Sequence, residues 1–230
     1  MTITIHPNME QGSEEWLAAR TGLLTASELK LILTPTLKIA SNDKERKHLY
    51  ELLAQRITDF TEPQYIGDAM LRGYEDEITA RDLYSEKIAQ VEEVGFITND
   101  KWGFKLGYSP DGVVGADGLI ECKSRIQRYQ AETMIVHVPD QTIPDEYALQ
   151  CQTGLLITER KWLDFISYSG GMPMIVIRVF PDDVVQAAIL AAAAGFEQRL
   201  ADARKIYDDA LASDARLFAT TRKIEGDIII

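Results

Sequence analysis

The sequence has little of what several classes of metal-binding and membrane proteins require. Its 230 residues include two cysteines and three histidines, which excludes a disulfide framework, a four-cysteine zinc or iron–sulfur site and a histidine-rich metal centre. No apolar run approaches the roughly 18 residues of a membrane-spanning helix. The first ten residues lack the basic and apolar segments of a signal peptide. We therefore expect a cytoplasmic protein with no membrane partner.

Basic charge is also scarce. Lysine and arginine number 24 against 36 acidic residues, a net charge of −12, and residues 51–100 alone hold 12 acidic and 4 basic side chains. Proteins that coat nucleic acid are normally basic. Basic residues do gather at 38–47 and 123–128, and a locally basic channel can attract a strand inside an acidic exterior. The charge therefore leaves open both a nucleic-acid-binding protein and one that never touches nucleic acid.

The order of elements predicts one mixed α/β domain over 1–230. Its core is expected at 67–181, after a helical N-terminal part at 1–66 and before a long helix at 182–213 and a tail. Caps and apolar spacing predict helices at 13–20, 25–33, 43–59, 67–89, 129–137 and 145–157, strands at 94–98, 103–108 and 118–123, and a hairpin of 161–168 with 174–180.

The strongest chemical signal is a pair of acidic residues ten positions apart. Asp111 follows a predicted strand in a Ser-Pro-Asp-Gly turn, and Glu121 precedes Lys123 by two positions in the next predicted strand. Strand alternation puts Glu121 and Lys123 on one face of the sheet and Cys122 on the other. If these two strands pair as neighbours, Asp111 approaches Glu121.

Two converging carboxylates and an ammonium group suit a hard divalent cation such as Mg²⁺ and an activated water. Asp111, Glu121 and the main-chain carbonyl of Cys122 are the candidate ligands, and Lys123 would orient the water or stabilise the transition state. Alternatively, Asp111 only shapes a turn, and Glu121 and Lys123 form a surface pair. The apolar run that begins at Gly118 favours a site, because a buried strand rarely carries an unused glutamate and lysine.

Two predicted helices supply further polar candidates. On the first, Glu77 lies one turn from Gly73, where the missing side chain allows a close approach. The neighbouring Glu75 and Asp76 face other sides, so at most one of the three acids points at a given site. The alternative for this acidic run is a solvated helix face.

The second of these helices carries Tyr147 and Gln150, which share a face at i and i+3. Gln150 is a candidate for holding a catalytic lysine or a water molecule. An ordinary amphipathic helix with polar exposed positions is the alternative.

The N-terminal segment combines an arginine with hydroxyl groups. Arg20 precedes a predicted helix start that carries Thr25 and Ser27. Free N–H groups, hydroxyls and an arginine fork suit a terminal phosphate. The alternative is a plain capping box, with Glu28 three residues after Thr25 and a structural arginine.

Taken in order, these elements resemble the phage lambda exonuclease family, the viral-type alkaline exonucleases of the PD-(D/E)XK nuclease superfamily. The resemblance covers roughly residues 10–180, and the N-terminal segment and the Ser-Pro-Asp-Gly turn are its most specific parts. The residues that carry it are Gln11, Gly12, Ser13, Trp16, Arg20, Gly22, Thr25, Ser27, Gly73, Glu77, Ser109, Pro110, Asp111, Gly112, Glu121, Lys123, Tyr147 and Gln150.

The resemblance implies a restriction-endonuclease-like α/β core, with a central mixed β-sheet flanked by helices and helical additions at both ends. It implies a 5′→3′ exonuclease that needs Mg²⁺, with Mn²⁺ as a substitute, and that degrades one strand of linear double-stranded DNA to leave a 3′ overhang. It further implies a ring-shaped homotrimer, a single-strand annealing protein as recombination partner, and a phage or prophage protein in the bacterial cytoplasm.

The resemblance also assigns roles to residues. The implied metal ligands are Asp111, Glu121 and the backbone carbonyl of Cys122. The implied catalytic residues are Lys123, Glu121, Asp111, Glu77 and Gln150. The implied 5′-phosphate ligands are Arg20, Ser27 and Ser109, together with Arg125 or Arg128, neither of which aligns without a shift.

Two other functions remain open from the sequence. An endonuclease or junction-resolving nuclease of the same superfamily would share Asp111, Glu121 and Lys123 but would need no pocket for a DNA end. A non-catalytic DNA-binding relic would have lost at least one of these three residues. A nuclease with an iron–sulfur cluster is excluded by the two cysteines.

Overall fold

A computed structural model describes residues 2–63 and 67–222. Two further features of the sequence fall outside the described residues: the break between predicted helices at 62–66 in part, and the apolar end of the tail at 227–230 entirely. The helices are α1 Glu14–Arg20, α2 Leu29–Ile32, α3 Asp43–Thr58, α4 Asp68–Lys87, α5 Gln127–Glu132, α6 Asp145–Thr158 and α7 Asp183–Leu211. The strands are β1 Ile3–His6, β2 Leu24–Thr25, β3 Phe96–Asn99, β4 Leu106–Tyr108, β5 Gly112–Val114, β6 Gly118–Ser124, β7 Trp162–Tyr168 and β8 Ile175–Val179.

The helix ends follow local sequence signals. Ser13 Oγ accepts a hydrogen bond from the Trp16 N–H at the start of α1, and Asn42 and Asp182 cap α3 and α7 in the same way. Gly22 follows α1 with φ +71°, a conformation that favours glycine. These short-range contacts explain why the predicted helix bounds agree with the structure within a few residues.

The strands form two four-stranded sheets instead of one central sheet. The first has the order β1-β3-β4-β2 and the second the order β5-β6-β7-β8. Strands β6 and β7 are parallel, and the chain between them contains α5 and α6. The fold class is the mixed α/β class that the sequence predicts, and the helices flank both sheets.

Asp111 does not approach Glu121 through a pairing of the two strands that flank its turn. The strands on either side of the Ser-Pro-Asp-Gly turn, β4 and β6, belong to different sheets. The short strand β5, which the sequence suggests only as a turn, pairs with β6 in antiparallel register, with Gly112 opposite Ile120. This hairpin still brings Asp111 beside Glu121, because each residue lies one position beyond that pair.

The main core lies between the two sheets, α6 and the helices around it. Its fully buried side chains include Leu24, Leu106, Leu155, Phe165 and Phe196. A second, smaller cluster packs α4 against β6 through side chains that include Tyr84, Ile120 and Cys122. The carboxylate-bearing face of β6 therefore lies toward α6, and the opposite face lies toward α4.

The predicted helix at 129–137 begins earlier and ends differently. It is α5, followed by a π-helical turn at Thr133–His137. The predicted helix at 25–33 is a 3₁₀ turn at Ala26–Glu28 followed by the four-residue α2. None of the described helices is both long enough and apolar enough to cross a bilayer.

Candidate active site

The hairpin of β5 and β6 brings the two predicted carboxylates together. Asp111 immediately precedes β5, and its Oδ2 accepts a hydrogen bond of 2.5 Å from the Cys122 N–H. Asp111 is 8% exposed and Glu121 is 1% exposed. Buried carboxylates are costly unless they are paired, so the neighbours of these two groups define the site.

Glu121 accepts three hydrogen bonds from side chains. Lys123 Nζ donates to Oε1 at 2.6 Å, and Gln150 Nε2 donates to the same oxygen. The Tyr108 hydroxyl donates to Oε2 at 2.7 Å. The structure therefore joins three of the predicted residues and adds Tyr108, which the sequence analysis did not select.

Lys123 is held as a cation in this site. Burial lowers the pKa of its ammonium group, but the carboxylates of Glu121 and Asp111 raise that pKa by more, so the net shift is upward. The ring of Tyr147 lies 5.7 Å from Lys123 Nζ. The ammonium group thus lies between a carboxylate and an aromatic face, where its charge is stabilised.

Glu77 lies at the edge of the same cluster. Burial raises its pKa, and Arg81, which approaches Glu77 at 3.3 Å, offsets part of the shift. The pKa of Asp111 is raised well above its usual range by burial and by the charges of Glu121 and Glu77. Three carboxylates therefore repel one another here, and a cation would relieve that repulsion.

Arg81 and Asp76 are two α4 residues that the sequence analysis missed as site residues. Arg81 donates to the main-chain carbonyl of Asp111 at 3.2 Å as well as to Glu77. Asp76 accepts a hydrogen bond from the Ser124 hydroxyl at the end of β6. Two of the three consecutive acids thus reach the β6 region, although the sequence predicts that at most one points there. The spacing of Glu77 and Arg81, at i and i+4, is the one sequence signal for these contacts.

The predicted phosphate pocket forms around Arg20. Its guanidinium donates to Ser109 Oγ and to Thr25 Oγ1, each at 3.3 Å. Ser27 Oγ lies 3.3 Å from Thr25 Oγ1, and Trp16 Nε1 donates to Ser109 Oγ at 2.9 Å. The Arg20 guanidinium also stacks 4.3 Å from the Trp16 ring. Arg20, Ser27 and Ser109 therefore lie close together, although 89 positions separate the first from the last.

The two candidate arginines after β6 occupy different environments. Arg125 is 7% exposed and donates to Glu146 and to the Tyr147 hydroxyl, each at 2.6 Å. Arg128 is exposed and stacks on Tyr129 at 4.5 Å. Arg125 is thus tied to the same helix that carries Gln150, whereas Arg128 faces solvent.

The chemistry of the donor set fits a hard divalent cation. Among the described residues, no three His, Cys, Asp or Glu side chains lie close enough together to hold a metal ion by themselves. Asp111 and Glu121 supply two carboxylates, and the β5 pairing ends at Ile120. The N–H and C=O of a strand residue point to the same side, so the Cys122 carbonyl faces Asp111 as its N–H does. Mg²⁺ uses few protein oxygens of this kind and keeps several waters.

Comparison with known proteins identifies relatives of this chain. The model of the family described as the YqaJ-like viral recombinase domain matches residues 15–161. The crystal structure of an alkaline exonuclease from Laribacter hongkongensis, LHK-Exo, is 32% identical over 87% of this chain and 98% of that chain, with a TM-score of 0.75. The same enzyme in complex with dAMP gives 33% identity and a TM-score of 0.76, with the same coverage.

More distant similarity supports the fold. A phage-related exonuclease from Haemophilus somnus 129PT is 12% identical, covers 83% of this chain and 95% of that chain, and has a TM-score of 0.54. No curated protein matches this chain. The family match covers more than half of the residues, and it includes Asp111, Glu121, Lys123 and Gln150. The chain therefore belongs to the YqaJ-like viral recombinase domain family of nucleases, which has the fold of the lambda-type alkaline exonucleases.

Proposed function

We propose that this chain is a Mg²⁺-dependent 5′→3′ exonuclease that degrades one strand of linear double-stranded DNA and leaves a 3′ overhang for strand annealing. As a member of this nuclease family, it is a hydrolytic exodeoxyribonuclease. The observation that carries the finer proposal is the carboxylate of Glu121, which lies beside Asp111 and is bonded to both Lys123 and Gln150.

Lys123 supplies positive charge at the reacting phosphate. Its ammonium group remains protonated beside Glu121 and stabilises the negative charge that develops on phosphodiester cleavage. Gln150 and Lys123 both donate to the same oxygen of Glu121. The two side chains therefore hold the carboxylate in one orientation beside the place where the phosphate would bind. Loss of either residue should therefore alter catalysis more than folding.

Asp111, Glu121 and the Cys122 carbonyl would hold Mg²⁺ in this proposal, and Mn²⁺ would substitute. Bound Mg²⁺ supplies Lewis-acid chemistry that neutralises phosphate charge and makes a nearby water more acidic. The accumulated negative charge of Asp111, Glu121 and Glu77 supports a cation at this position.

The pocket around Arg20 supports the proposed polarity. An arginine with two hydroxyls in reach suits a terminal phosphate dianion, which has more charge and more open oxygens than a phosphodiester. Arg20, Ser27 and Ser109 would bind the 5′-phosphate, with Arg125 the better placed of the two further arginines because it is fixed beside Tyr147. LHK-Exo has been crystallised with dAMP, which is consistent with a nucleoside monophosphate product in this chain.

The experiment compares three DNA substrates, with and without Mg²⁺. We expect linear duplex with a 5′-phosphate to be degraded fastest, linear duplex with a 5′-hydroxyl more slowly, and covalently closed circles not at all. Cleavage of closed circles would instead support the endonuclease or junction-resolving alternative. Full hydrolysis in excess EDTA would contradict the metal assignment, and an Asp111→Ala variant serves as the inactive control.

A further inference from the structure

Glu121 has fewer open positions for a cation than its two oxygens suggest. A carboxylate offers about four lone-pair positions. Lys123 and Gln150 both donate to Oε1, and Tyr108 donates to Oε2. One lone-pair position therefore remains open for a cation, on Oε2. The hydrogen bond from the Tyr108 hydroxyl to the same oxygen determines the direction in which this position faces.

The position of Tyr108 is fixed by packing. The side chain is 1% exposed, and α6 passes directly over its ring at Gly154. A methyl group at position 154 would lie 2.7 Å from Tyr108 Cζ, which is too close for a real contact, and 3.1 Å from the hydroxyl oxygen, which is a tight one. Gly154 lies one turn after Gln150 on the same helix face. Helix α6 therefore places both the amide that holds Oε1 and the ring that holds Oε2.

The Tyr108 hydroxyl is a dependable donor. A tyrosine hydroxyl has an ordinary pKa of about 10. The group therefore keeps its proton under the conditions in which nucleases work. It makes a charge-assisted hydrogen bond, which is stronger than one between neutral groups.

We propose that Tyr108 is a positioning residue that fixes the Glu121 carboxylate for a small octahedral cation and so makes the site select Mg²⁺ over Ca²⁺. This inference rests on the proposed metal-dependent function. Mg²⁺ demands nearly ideal octahedral geometry with short bonds, whereas Ca²⁺ accepts irregular geometry, longer bonds and bidentate carboxylates. A carboxylate that is free to turn therefore loses more affinity for Mg²⁺ than for Ca²⁺.

The test uses a variant that removes only the hydroxyl, Tyr108→Phe. The chain offers a matched control in Tyr84, which is fully buried and donates to the buried Asp164 at 2.7 Å, the same distance as in the Tyr108 bond. Tyr84 lies in the second apolar cluster. Tyr84→Phe therefore removes an equivalent buried hydrogen bond and leaves the Glu121 carboxylate untouched.

The measurement is metal binding without DNA. Mg²⁺ and Ca²⁺ are titrated separately into each folded, metal-free protein, with calorimetry and with the rise in melting temperature as readouts. We expect Tyr108→Phe to weaken Mg²⁺ binding by about 10- to 100-fold, the usual range for loss of a group that orients a metal ligand, and to weaken Ca²⁺ binding much less. We expect Tyr84→Phe to lower stability without changing the ratio of the two affinities.

An unchanged affinity ratio in Tyr108→Phe, or an equal change in Tyr84→Phe, would overturn the inference. Gly154→Ala provides a second test in a folded protein, because the added methyl group displaces the tyrosine ring. If the wild-type protein binds Mg²⁺ and cleaves DNA, the proposed function stands, and an unchanged affinity ratio then counts against the role of Tyr108 alone. Wild-type protein that binds neither cation would overturn both.

Discussion

The Lys123 ammonium group donates to the buried carboxylate of Glu121. We therefore expect its removal to affect the rate of cleavage more than the binding of DNA. We expect Lys123→Ala to lower kcat by about 10²–10³, the usual cost of removing one electrostatic group aimed at developing charge. DNA binding should change little, because a single lysine inside the site contributes little to the contacts between the protein surface and the DNA backbone. Single-turnover cleavage and a separate binding assay distinguish the two effects.

Replacing Lys123 with arginine tests whether positive charge alone is enough at this position or whether the compact ammonium group is needed. Lys123→Arg keeps the charge, but its planar guanidinium cannot replace a compact ammonium group that is 2.6 Å from Glu121 Oε1. We expect it to be nearly as inactive as Lys123→Ala. Lys161→Ala, which removes an exposed lysine paired with Asp117, is the control and should cleave at the wild-type rate. Near wild-type turnover in Lys123→Ala would exclude the assigned role.

Arg20 carries the prediction for end recognition. Its guanidinium contacts Ser109 and Thr25, so Arg20→Ala removes the charge at the centre of the pocket. We expect the variant to degrade 5′-phosphorylated and 5′-hydroxyl ends at similar slow rates, because a charge-assisted bond to the phosphate is lost. Arg204→Ala, which removes an arginine from the exposed surface of α7, should keep the wild-type preference. A preference that survives in Arg20→Ala would place the phosphate elsewhere.

At the scale of single elements, α4 positions a carboxylate where it destabilises the metal-free protein. Burial raises the folded-state pKa of Glu77 above its ordinary value of 4.5. A raised acid pKa means that the folded state binds the proton more tightly than the unfolded state. Stability is therefore lost as the pH rises from about 4.5 through the folded-state pKa of Glu77, and the cost is fully present above that pKa.

Glu77→Gln tests this cost. We expect the metal-free variant to melt higher at neutral pH by about 2–4 °C, or about 1 kcal/mol for a domain of this size. The difference should shrink toward pH 4, where Glu77 is protonated in the wild type as well. Glu86→Gln, an exposed change on the same helix, should show no such dependence. Melting curves across pH, recorded in EDTA, provide the comparison, and a lower melting temperature for Glu77→Gln at neutral pH would contradict the prediction.

The sequence predicts the elements better than it predicts their partners. Helices α1, α3 and α7 are capped by Ser13, Asn42 and Asp182, whose side chains bond to the backbone within three residues, so local sequence contains the signal. The division of strands between two sheets depends on contacts between distant residues and has no such signal. The short β5 is an example, because its three residues become a strand by pairing with the distant β6 and, through Val113, with Glu92.

The same distinction applies to the site. Glu121 and Lys123 are two residues apart on one strand, so alternation alone predicts their contact. Tyr108 was missed because its bond to Glu121 crosses from one sheet to the other, and an apolar strand with a tyrosine usually indicates core. Arg81 was missed because its contact with the Asp111 carbonyl depends on how α4 packs against β6.

At the scale of the whole molecule, the net charge of −12 limits how the protein can hold DNA. A single chain could contact a DNA duplex from one side only. Because the protein is acidic overall, most of its surface would repel the DNA. A closed ring can place the basic residues at 123–128 on an inner wall and leave acidic surface outside. Cyclic symmetry then requires two different patches on each subunit that meet head to tail.

We therefore predict a homotrimeric ring, for which the family resemblance supplies the number of subunits. The acidic region at 75–93 and the basic stretch at 38–47 are the candidate patches. Light scattering during size-exclusion chromatography should give a mass of about 77 kDa, three times the chain mass of 25.8 kDa. Reversing two exposed charges in the basic patch, Lys44→Glu with Lys47→Glu, should shift the trimer toward monomer and shorten the tracts degraded per binding event. A monomer at micromolar concentration that still degrades long duplexes without dissociating would show that processivity has another origin.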